Sequence, residues 1–143
     1  MLRDIVNRNV VSVEPDARIS DVAKLMKEKN VGSAIVTRDG TPGGMITDRD
    51  IVVRCLAEDL SPNDCIVEDV MTESPVTCHE EDGIFDCITK MRDAKVRRMP
   101  VVDDDGKVTG VLSFGDLLAV LSKELAELTK STTILEETEE LAA

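Results

Sequence analysis

Residues 4–36, DIVNRNVVSVEPDARISDVAKLMKEKNVGSAIV, decide the fold because the chain repeats them. They align with residues 69–101 without a gap, and after one inserted residue 39–50 aligns with 105–116. A single copy of such a unit often cannot bury its own apolar face, so neighbouring copies pack together. The repeat therefore predicts a pseudo-twofold pair with a cleft where the halves meet. The aligned identities include Val11/Val76, Ile19/Ile84, Met26/Met91, Val31/Val96, Gly44/Gly110 and Asp50/Asp116.

Length and charge restrict the class of protein. At 143 residues and a net charge of −12, the chain fits one compact body. The acidic balance argues against wrapping nucleic acid, where a basic face supplies most of the affinity, and against docking on anionic membrane. The sequence has no run of about 20 apolar residues, and residues 1–9 lack a signal-peptide core. We expect a soluble, cytoplasmic protein with neither nucleic-acid nor membrane partners.

The aromatic, cysteine and histidine content restricts which kinds of binding site and reaction are expected. Trp and Tyr are absent, so we expect an aliphatic core and no aromatic platform for stacking bases. The four cysteines show no CxxC spacing and His79 is the only histidine, so neither a metal site nor redox chemistry is expected. Cys78 in a predicted strand and Cys87 on an apolar helical face are interpreted as small buried hydrophobes.

Each copy is predicted to be a β-α-β-β-α unit, which makes the fold α+β. The first helix of each copy carries apolar residues at i, i+3, i+4 and i+7, the stripe of an amphipathic helix. Turn signals at residues 38–40 and 103–106 predict two hairpins. Pro100 at a strand position indicates an edge or a strand start, not a central rung. The two helical stripes are Ile19, Val22, Ala23 and Met26, and Ile84, Cys87, Ile88 and Met91.

The repeat also sets the predicted boundaries. Residues 1–58 form the first repeat, 59–65 a short linker, 66–122 the second repeat, and 123–143 a helical extension with an acidic tail. Leu121, Leu125 and Leu128 continue at helical spacing beyond the repeat. We expect this helix to fray near residues 131–133. The tail is either a solvated terminus or an oligomer contact.

The sharpest local signal is GMITDRD at residues 44–50, matched by GVLSFGD at 110–116. One interpretation is a helix capping box, in which hydroxyl and acid satisfy backbone amides, although that motif prefers Glu or Gln as the acid. The other is a nucleotide site, with an anion at the helix N-terminus and the carboxylate on ribose hydroxyls. Repetition of the motif favours the second interpretation without removing the first.

These features resemble a pair of CBS domains (cystathionine β-synthase motifs) over residues 2–122. The resemblance is carried by residues 69–71, 96–103, 105–106 and the two Gly-x-x-Thr/Ser-x-x-Asp segments. It implies that adenosine compounds bind in two clefts between the halves: AMP, ADP, ATP, or in some members S-adenosylmethionine. It also implies a homodimer in which two chains form a flat disc of four repeats.

The resemblance further implies which residues form each cleft. In the Asp116 cleft, Ser113 and Asp116 would hold phosphate and ribose. In the Asp50 cleft, Thr47 and Asp50 would do the same. The residues expected opposite Asp116 are Asn9, Glu14, Val31 and Gly32, and those expected opposite Asp50 are Ser74, His79, Val96 and Arg97.

The resemblance also implies that the two clefts are unequal. Arg98 stands where related proteins often carry a basic phosphate ligand, and it would serve the Asp116 cleft. Its counterpart Ser33 is uncharged, and Arg49 is a candidate substitute for the missing charge but lies in a different segment. Because arginine binds phosphate through charge-assisted hydrogen bonds, we predict that the Asp116 cleft is the tighter one. The alternative for Arg97 and Arg98 is a solvated strand edge or salt bridges to residues 103–105.

The function predicted from the sequence is a stand-alone regulatory module that binds adenine nucleotides and signals to a separate, unidentified protein. An enzyme is not expected, because His79 is the only histidine from which a Ser–His–Asp set could be built and the sequence shows no metal-ligand cluster. No catalytic cofactor is expected, and the need for Mg²⁺ with the nucleotide is open. The alternatives are a dimerisation module without ligand, and a binder of S-adenosylmethionine or NAD.

Overall fold

The computed structural model describes residues 2–73 and 75–142, which fold into two sheets with helices against them. The α+β class predicted from the sequence is confirmed. A short 3₁₀ helix, Leu2–Asp4, comes first, and a π-helix, Ile51–Leu56, continues α2. The remaining elements are β1 Ser12–Val13, α1 Ile19–Lys29, β2 Ser33–Arg38, β3 Thr41–Thr47, α2 Asp48–Asp50, α3 Val67–Val70, β4 Thr72–Glu73, β5 Cys78–His79, α4 Ile84–Ala94, β6 Arg98–Val102, β7 Val108–Ser113 and α5 Phe114–Ala142.

The two amphipathic helices follow the predicted stripes. Helix α1 buries Ile19, Val22 and Met26, and α4 buries Cys87 and Met91. Both helices end at a residue in the left-handed conformation, Asn30 with φ 53° and Lys95 with φ 55°, whose amides bond back to the last turn. The two ends are equivalent in the repeat, so the loop that follows each helix leaves in the same direction. These loops lead directly to the clefts.

The first sheet has the order β1-β2-β3-β4. Strand β1 is parallel to β2, and β2 is antiparallel to β3, with Arg38 paired to Thr41 across a two-residue turn. Asp39 (φ 52°) and Gly40 (φ 79°) form that turn. Two successive positive φ angles are the signature of the type I′ turn that matches the twist of a hairpin. The predicted first hairpin is therefore confirmed.

The second sheet has the order β5-β6-β7, so Pro100 lies in a central strand and the edge prediction is wrong. The first half explains how the sheet tolerates it. There the amide of Ile35, equivalent to Pro100, donates to the Val11 carbonyl at 2.9 Å. Proline has no such donor, and β5 accordingly begins its pairing one residue later, at Val101. The proline displaces the parallel pairing by one residue instead of excluding the strand from the sheet.

The segment that precedes β1 and the segment that precedes β5 each pack on the sheet of the other sequence repeat. We call residues 2–7 and 67–72 the leader segments. Asn7 pairs with Val111 of β7, in the second sheet, and Thr72 of β4 pairs with Met45 of β3, in the first. Val67, Val70 and Met71 belong to the first core, whereas Leu2 and Val6 belong to the second. Each core is thus completed by residues from the other sequence repeat.

Helix α5 runs to Ala142, and the expected fraying near residues 131–133 is wrong for the backbone. The hydroxyls of Thr129, Ser131 and Thr132 donate to the carbonyls four residues earlier, at 3.0–3.1 Å. These side chains therefore bond within the helix and do not cap an end. Among the residues that the structure describes, no helix is both long and apolar enough to cross a membrane.

Candidate functional site

Both Thr/Ser-x-x-Asp motifs form capping boxes. The Thr47 amide donates to Asp50 Oδ2 at 3.0 Å and the Asp50 amide donates to Thr47 Oγ1 at 3.1 Å. Ser113 and Asp116 repeat both bonds, and the Ser113 hydroxyl also donates to Asp116 Oδ2 at 2.6 Å. The capping interpretation is therefore confirmed as geometry. It fixes the rotamer of each acid through one oxygen, and an ionised carboxylate has acceptor capacity left for a ligand.

The Asp116 cleft lies between the first leader, the loop after α1 and the end of β7. It has a volume of about 260 Å³. Of the residues predicted for it, Asn9, Val31, Gly32, Arg98, Ser113 and Asp116 line it. Its polar groups stand beside an apolar wall formed by Val11, Val31, Ile35 and Val111.

The Asp50 cleft is the pseudo-symmetric counterpart, with a volume of about 410 Å³. It lies between Thr72, Pro75 and Val76 on one side and the loop after α4 and the end of β3 on the other. Thr47, Asp50, Val96 and Arg97 line it as predicted, and Met45 and Val76 add apolar surface. Ser74 lies outside the described residues. Both clefts thus place a hydroxyl and a carboxylate next to a patch of aliphatic side chains.

Glu14 and His79 line neither cleft, contrary to the prediction. These two residues are equivalent in the repeat and follow β1 and β5, which run parallel to β2 and β6. A parallel partner carries the chain away from the start of β2, where the cleft lies, toward the hairpin. Glu14 accordingly faces a depression shared with Arg38 and Glu68. His79 pairs with Val102, and its Nε2 lies 3.7 Å from Asp104.

The loop after each helix carries the largest difference between the clefts. The first copy reads Asn30-Val31-Gly32-Ser33, and the second reads Lys95-Val96-Arg97-Arg98. Ser33 lines the Asp116 cleft, not the Asp50 cleft. The predicted ranking places Ser33 in the Asp50 cleft, and that part of its premise is wrong, whereas Arg98 does line the Asp116 cleft. The Asp50 cleft also contains Lys95, Arg49 and Asp48, which were not among the predicted site residues.

Arg98 lines both clefts. Its backbone belongs to the loop of the Asp50 cleft, while its guanidinium reaches the loop of the other. A Cβ built on Gly32 would stand 3.7 Å from Arg98 Nη2 and 3.0 Å from Asp48 Oδ2. Within the described residues, neither Arg97 nor Arg98 forms the alternative salt bridge to residues 103–105. Arg98 is therefore a cation shared between the two sites.

The cysteines are buried in the two cores, as predicted for Cys78 and Cys87. Burial, followed by the neighbouring thiol Cys87, raises the pKa of Cys78 far above its ordinary value. Burial likewise raises the pKa of Cys65, whose neighbour is Cys55. Burial raises the pKa of Cys87 as well, and a raised pKa favours the thiol, the unreactive form, at these three positions. Across residues 2–73 and 75–132, whose side chains the structure describes, no three His, Cys, Asp or Glu side chains cluster as metal ligands.

Comparison with known proteins places this geometry in a family. The model of the CBS domain matches residues 2–56 and 67–123. The CBS domain-containing protein YhcV of Bacillus subtilis is 34% identical over 116 residues, which are 81% of this chain and 81% of YhcV. Protein MK0525 of Methanopyrus kandleri is 30% identical over 118 residues, which are 82% of this chain and 60% of MK0525. The chain thus spans less than two thirds of the latter protein.

A solved structure shows the same fold. The CBS domain pair of protein MJ0100, in complex with 5′-methylthioadenosine and S-adenosyl-L-methionine, superposes with a TM-score of 0.77. The match covers 87% of this chain and 97% of that one at 24% identity, so the likeness concerns the fold. With two matched domains, exchanged leaders and two equivalent clefts, the chain belongs to the CBS-domain family as a tandem CBS pair.

Proposed function

We propose that the chain is a regulatory module that binds adenosine-containing ligands, AMP, ADP or ATP, in its two clefts and signals their presence to another protein. The observation that supports this most directly is the repeated juxtaposition of a hydroxyl–carboxylate pair with an aliphatic slot. A carboxylate accepts hydrogen bonds from the vicinal hydroxyls of a ribose. The aliphatic wall beside it provides an apolar surface for the flat base.

The bound ligands of MJ0100 support the class of compound, since both contain adenosine. At 24% identity these ligands indicate only what the fold can hold. Which ligand this chain binds depends on the residues of its own clefts. In this chain Asp116 is held by three hydrogen bonds to Ser113, so its position is set before a ligand arrives. A group that is already in place saves part of the ordering cost of binding.

The test is isothermal titration calorimetry of the full chain with adenosine, AMP, ADP, ATP, NAD and S-adenosylmethionine, each with and without Mg²⁺. An adenosine compound that binds should also raise the melting temperature, since stabilisation at 100 times Kd is about 2.7 kcal/mol. Asp116→Ala should weaken binding in its cleft at least about tenfold, with Asp64→Ala in the exposed linker as a matched control. Absence of heat and of thermal shift for the whole panel at millimolar concentration would contradict the sensor function.

The same panel separates the alternatives. Selective binding of S-adenosylmethionine or NAD would keep a sensor but change its ligand. A chain that binds nothing and still self-associates would be a dimerisation module.

We also propose a homodimer, supported by exposed apolar residues on the π-helix and on α5. Val52 is 55% exposed and Leu118 54% exposed, and the two are equivalent in the repeat. Burying such residues against a second copy would remove apolar surface from water. Light scattering should give twice the monomer mass, and Val52→Asp with Leu118→Asp should restore the monomer without loss of helix signal. A monomeric native chain would contradict the dimer.

A further inference from the structure

The Asp50 cleft concentrates positive charge in an acidic protein. Arg49, Lys95, Arg97 and Arg98 all line it, and the carboxylates in the lining are Asp48 and Asp50. The chain as a whole carries 29 acidic and 17 basic residues. Besides Arg98, whose guanidinium reaches the loop of the Asp116 cleft, three cations thus line the Asp50 cleft beside two carboxylates.

These four cations are not neutralised within the described part of the chain. No guanidinium or ammonium nitrogen of the four lies within 4 Å of a carboxylate oxygen there, whereas the charged groups of Arg3, Arg8, Arg38, Arg54, Lys90 and Arg92 each have such a partner. Of the two acids in the lining, Asp50 is engaged by its own cap and by Arg54 at 3.9 Å, and Asp48 accepts a hydrogen bond from the backbone amide of Arg49 at 2.9 Å. Like charges within a screening length of about 8 Å repel each other, and a bound anion would relieve that repulsion.

The Asp116 cleft differs in this respect although it has the same backbone. Its equivalents of Lys95 and Arg97 are Asn30 and Gly32, and its lining contains one cation, Arg98, with one acid, Asp116. Asn30 and Lys95 share the same left-handed backbone conformation. The two loops are therefore interchangeable in conformation and differ in charge.

We propose that the Asp50 cleft binds a polyphosphate chain, with Lys95, Arg97 and Arg49 as the residues that determine its specificity for charge, and that the Asp116 cleft binds ligands with little or no phosphate. For nucleotides this inference rests on the proposed function and assigns the more highly phosphorylated ligand to one cleft. The ranking by affinity then reverses with phosphate number: a di- or triphosphate favours the Asp50 cleft. This preference would come from charge-assisted hydrogen bonds that lysine and arginine donate to phosphate oxygens.

The proposal can be tested by replacing residues of one loop with their equivalents from the other copy, which introduces no new backbone strain. Lys95→Asn with Arg97→Gly gives the second loop the residues that the first already carries at the same positions. Asn30→Lys is the reciprocal gain, and Lys24→Gln, an exposed cation on α1 that lines neither cleft, is the matched control. The probes are inorganic tripolyphosphate, adenosine and ATP, titrated calorimetrically into the full chain at low and physiological salt.

The loss variant should weaken tripolyphosphate and ATP at least about tenfold and leave adenosine within about twofold, because only the phosphate contacts are removed. Asn30→Lys should strengthen tripolyphosphate binding by about fivefold, and Lys24→Gln should change nothing beyond twofold. The loss should shrink as salt is raised. Equal effects of the loss variant and Lys24→Gln would overturn the proposal, as would a loop exchange that weakens adenosine as much as ATP.

The probes keep this proposal separate from the proposed function. Tripolyphosphate binding that depends on Lys95, with no response to adenosine or ATP, would support a polyanion cleft and reject the nucleotide sensor. Adenosine binding with no response to tripolyphosphate would support the sensor and reject the polyanion cleft.

Discussion

Gly44 and Gly110 are the residues on which the exchanged leaders rest. A Cβ at Gly110 would stand 2.0 Å from Val6 Cγ1 and 3.0 Å from the Asn7 carbonyl, and one at Gly44 would stand 2.9 Å from the Thr72 carbonyl. A distance below 3.0 Å between such atoms forces one of them to move. The two glycines therefore admit a backbone segment, not a ligand, to the surface of each sheet.

Gly110→Ala is predicted to destabilise the protein by about 1–3 kcal/mol, the usual cost of overpacking. The free energy of unfolding should be measured by urea denaturation followed by far-UV circular dichroism. Gly43→Ala is the control, since its Cβ would stand 3.8 Å from the Val36 carbonyl oxygen, in ordinary contact. Equal stability of the two variants would show that the leader does not press on Gly110.

The sequence could identify these glycines but not their neighbours. Identity between the copies signalled that groups approach closely at both positions. The groups that approach are those of the leader segments, each of which packs on the sheet of the other repeat. No local pattern in residues 2–7 or 67–72 predicts this packing. Lys95 is a different case, because aligning it with Asn30 exposes the difference in charge between the loops. The cleft that each loop serves required the structure.

At the scale of the element, the carboxylate of Asp82 links the turn after β5 to helix α4. The His79 amide donates to Asp82 Oδ2 at 3.0 Å, and Lys90 Nζ on α4 donates to the same oxygen at 2.6 Å. These bonds, the backbone one first, lower the pKa of Asp82 below its ordinary value. Asp82 thereby joins the turn to the helix in its ionised form.

A depressed folded-state pKa makes this contribution sensitive to acid. It is complete above the unfolded value of about 3.9 and is lost as the pH falls through the lower folded value. Asp82→Asn should therefore cost about 0.5–1.5 kcal/mol at pH 7 and show a shallower loss of stability below pH 4 than the native chain. Urea denaturation from pH 7 to pH 2.5 measures both, with Asp64→Asn in the linker as control. Parallel pH curves for Asp82→Asn and the native chain would contradict the assignment.

Elements with a repeated pattern could be predicted, and those set by tertiary contacts could not. The stripes of α1 and α4 agreed between copies because both bury the same face. The central position of Pro100 does not follow from the sequence, because a strand pair tolerates a missing amide donor at a position where the neighbouring strand has not yet begun. The length of α5 does not follow from it either, because Thr129, Ser131 and Thr132 bond within the helix instead of ending it.

For the whole molecule, exchange of the leaders makes two cores into one cooperative unit. Val67 is fully buried in the first core and Leu2 in the second, although each comes from the opposite sequence repeat. Opening one half therefore pulls a leader out of the other. Stability should be shared between the halves and not assigned to each.

Val67→Ala and Leu2→Ala are each predicted to destabilise both halves, by about 2 kcal/mol or more, because a buried side chain leaves a cavity. Native-state hydrogen exchange at Ile35 in the first sheet and Val101 in the second measures the two halves separately. Protection should fall by the same factor at both amides in both variants. Loss of protection in only the half that contains the cavity would show that the halves unfold independently.

The exchanged leaders also impose an order on synthesis. Residues 2–7 leave the ribosome before the rest of the pair, yet their partner strand β7 is among the last elements of the pair to be made. The first sheet likewise waits for residues 67–72 before its core is closed. At a translation rate of about 5–20 residues per second, the N-terminal segment stays without its partner for several seconds. A nascent chain of this protein cannot complete its first half before its second half has begun to emerge.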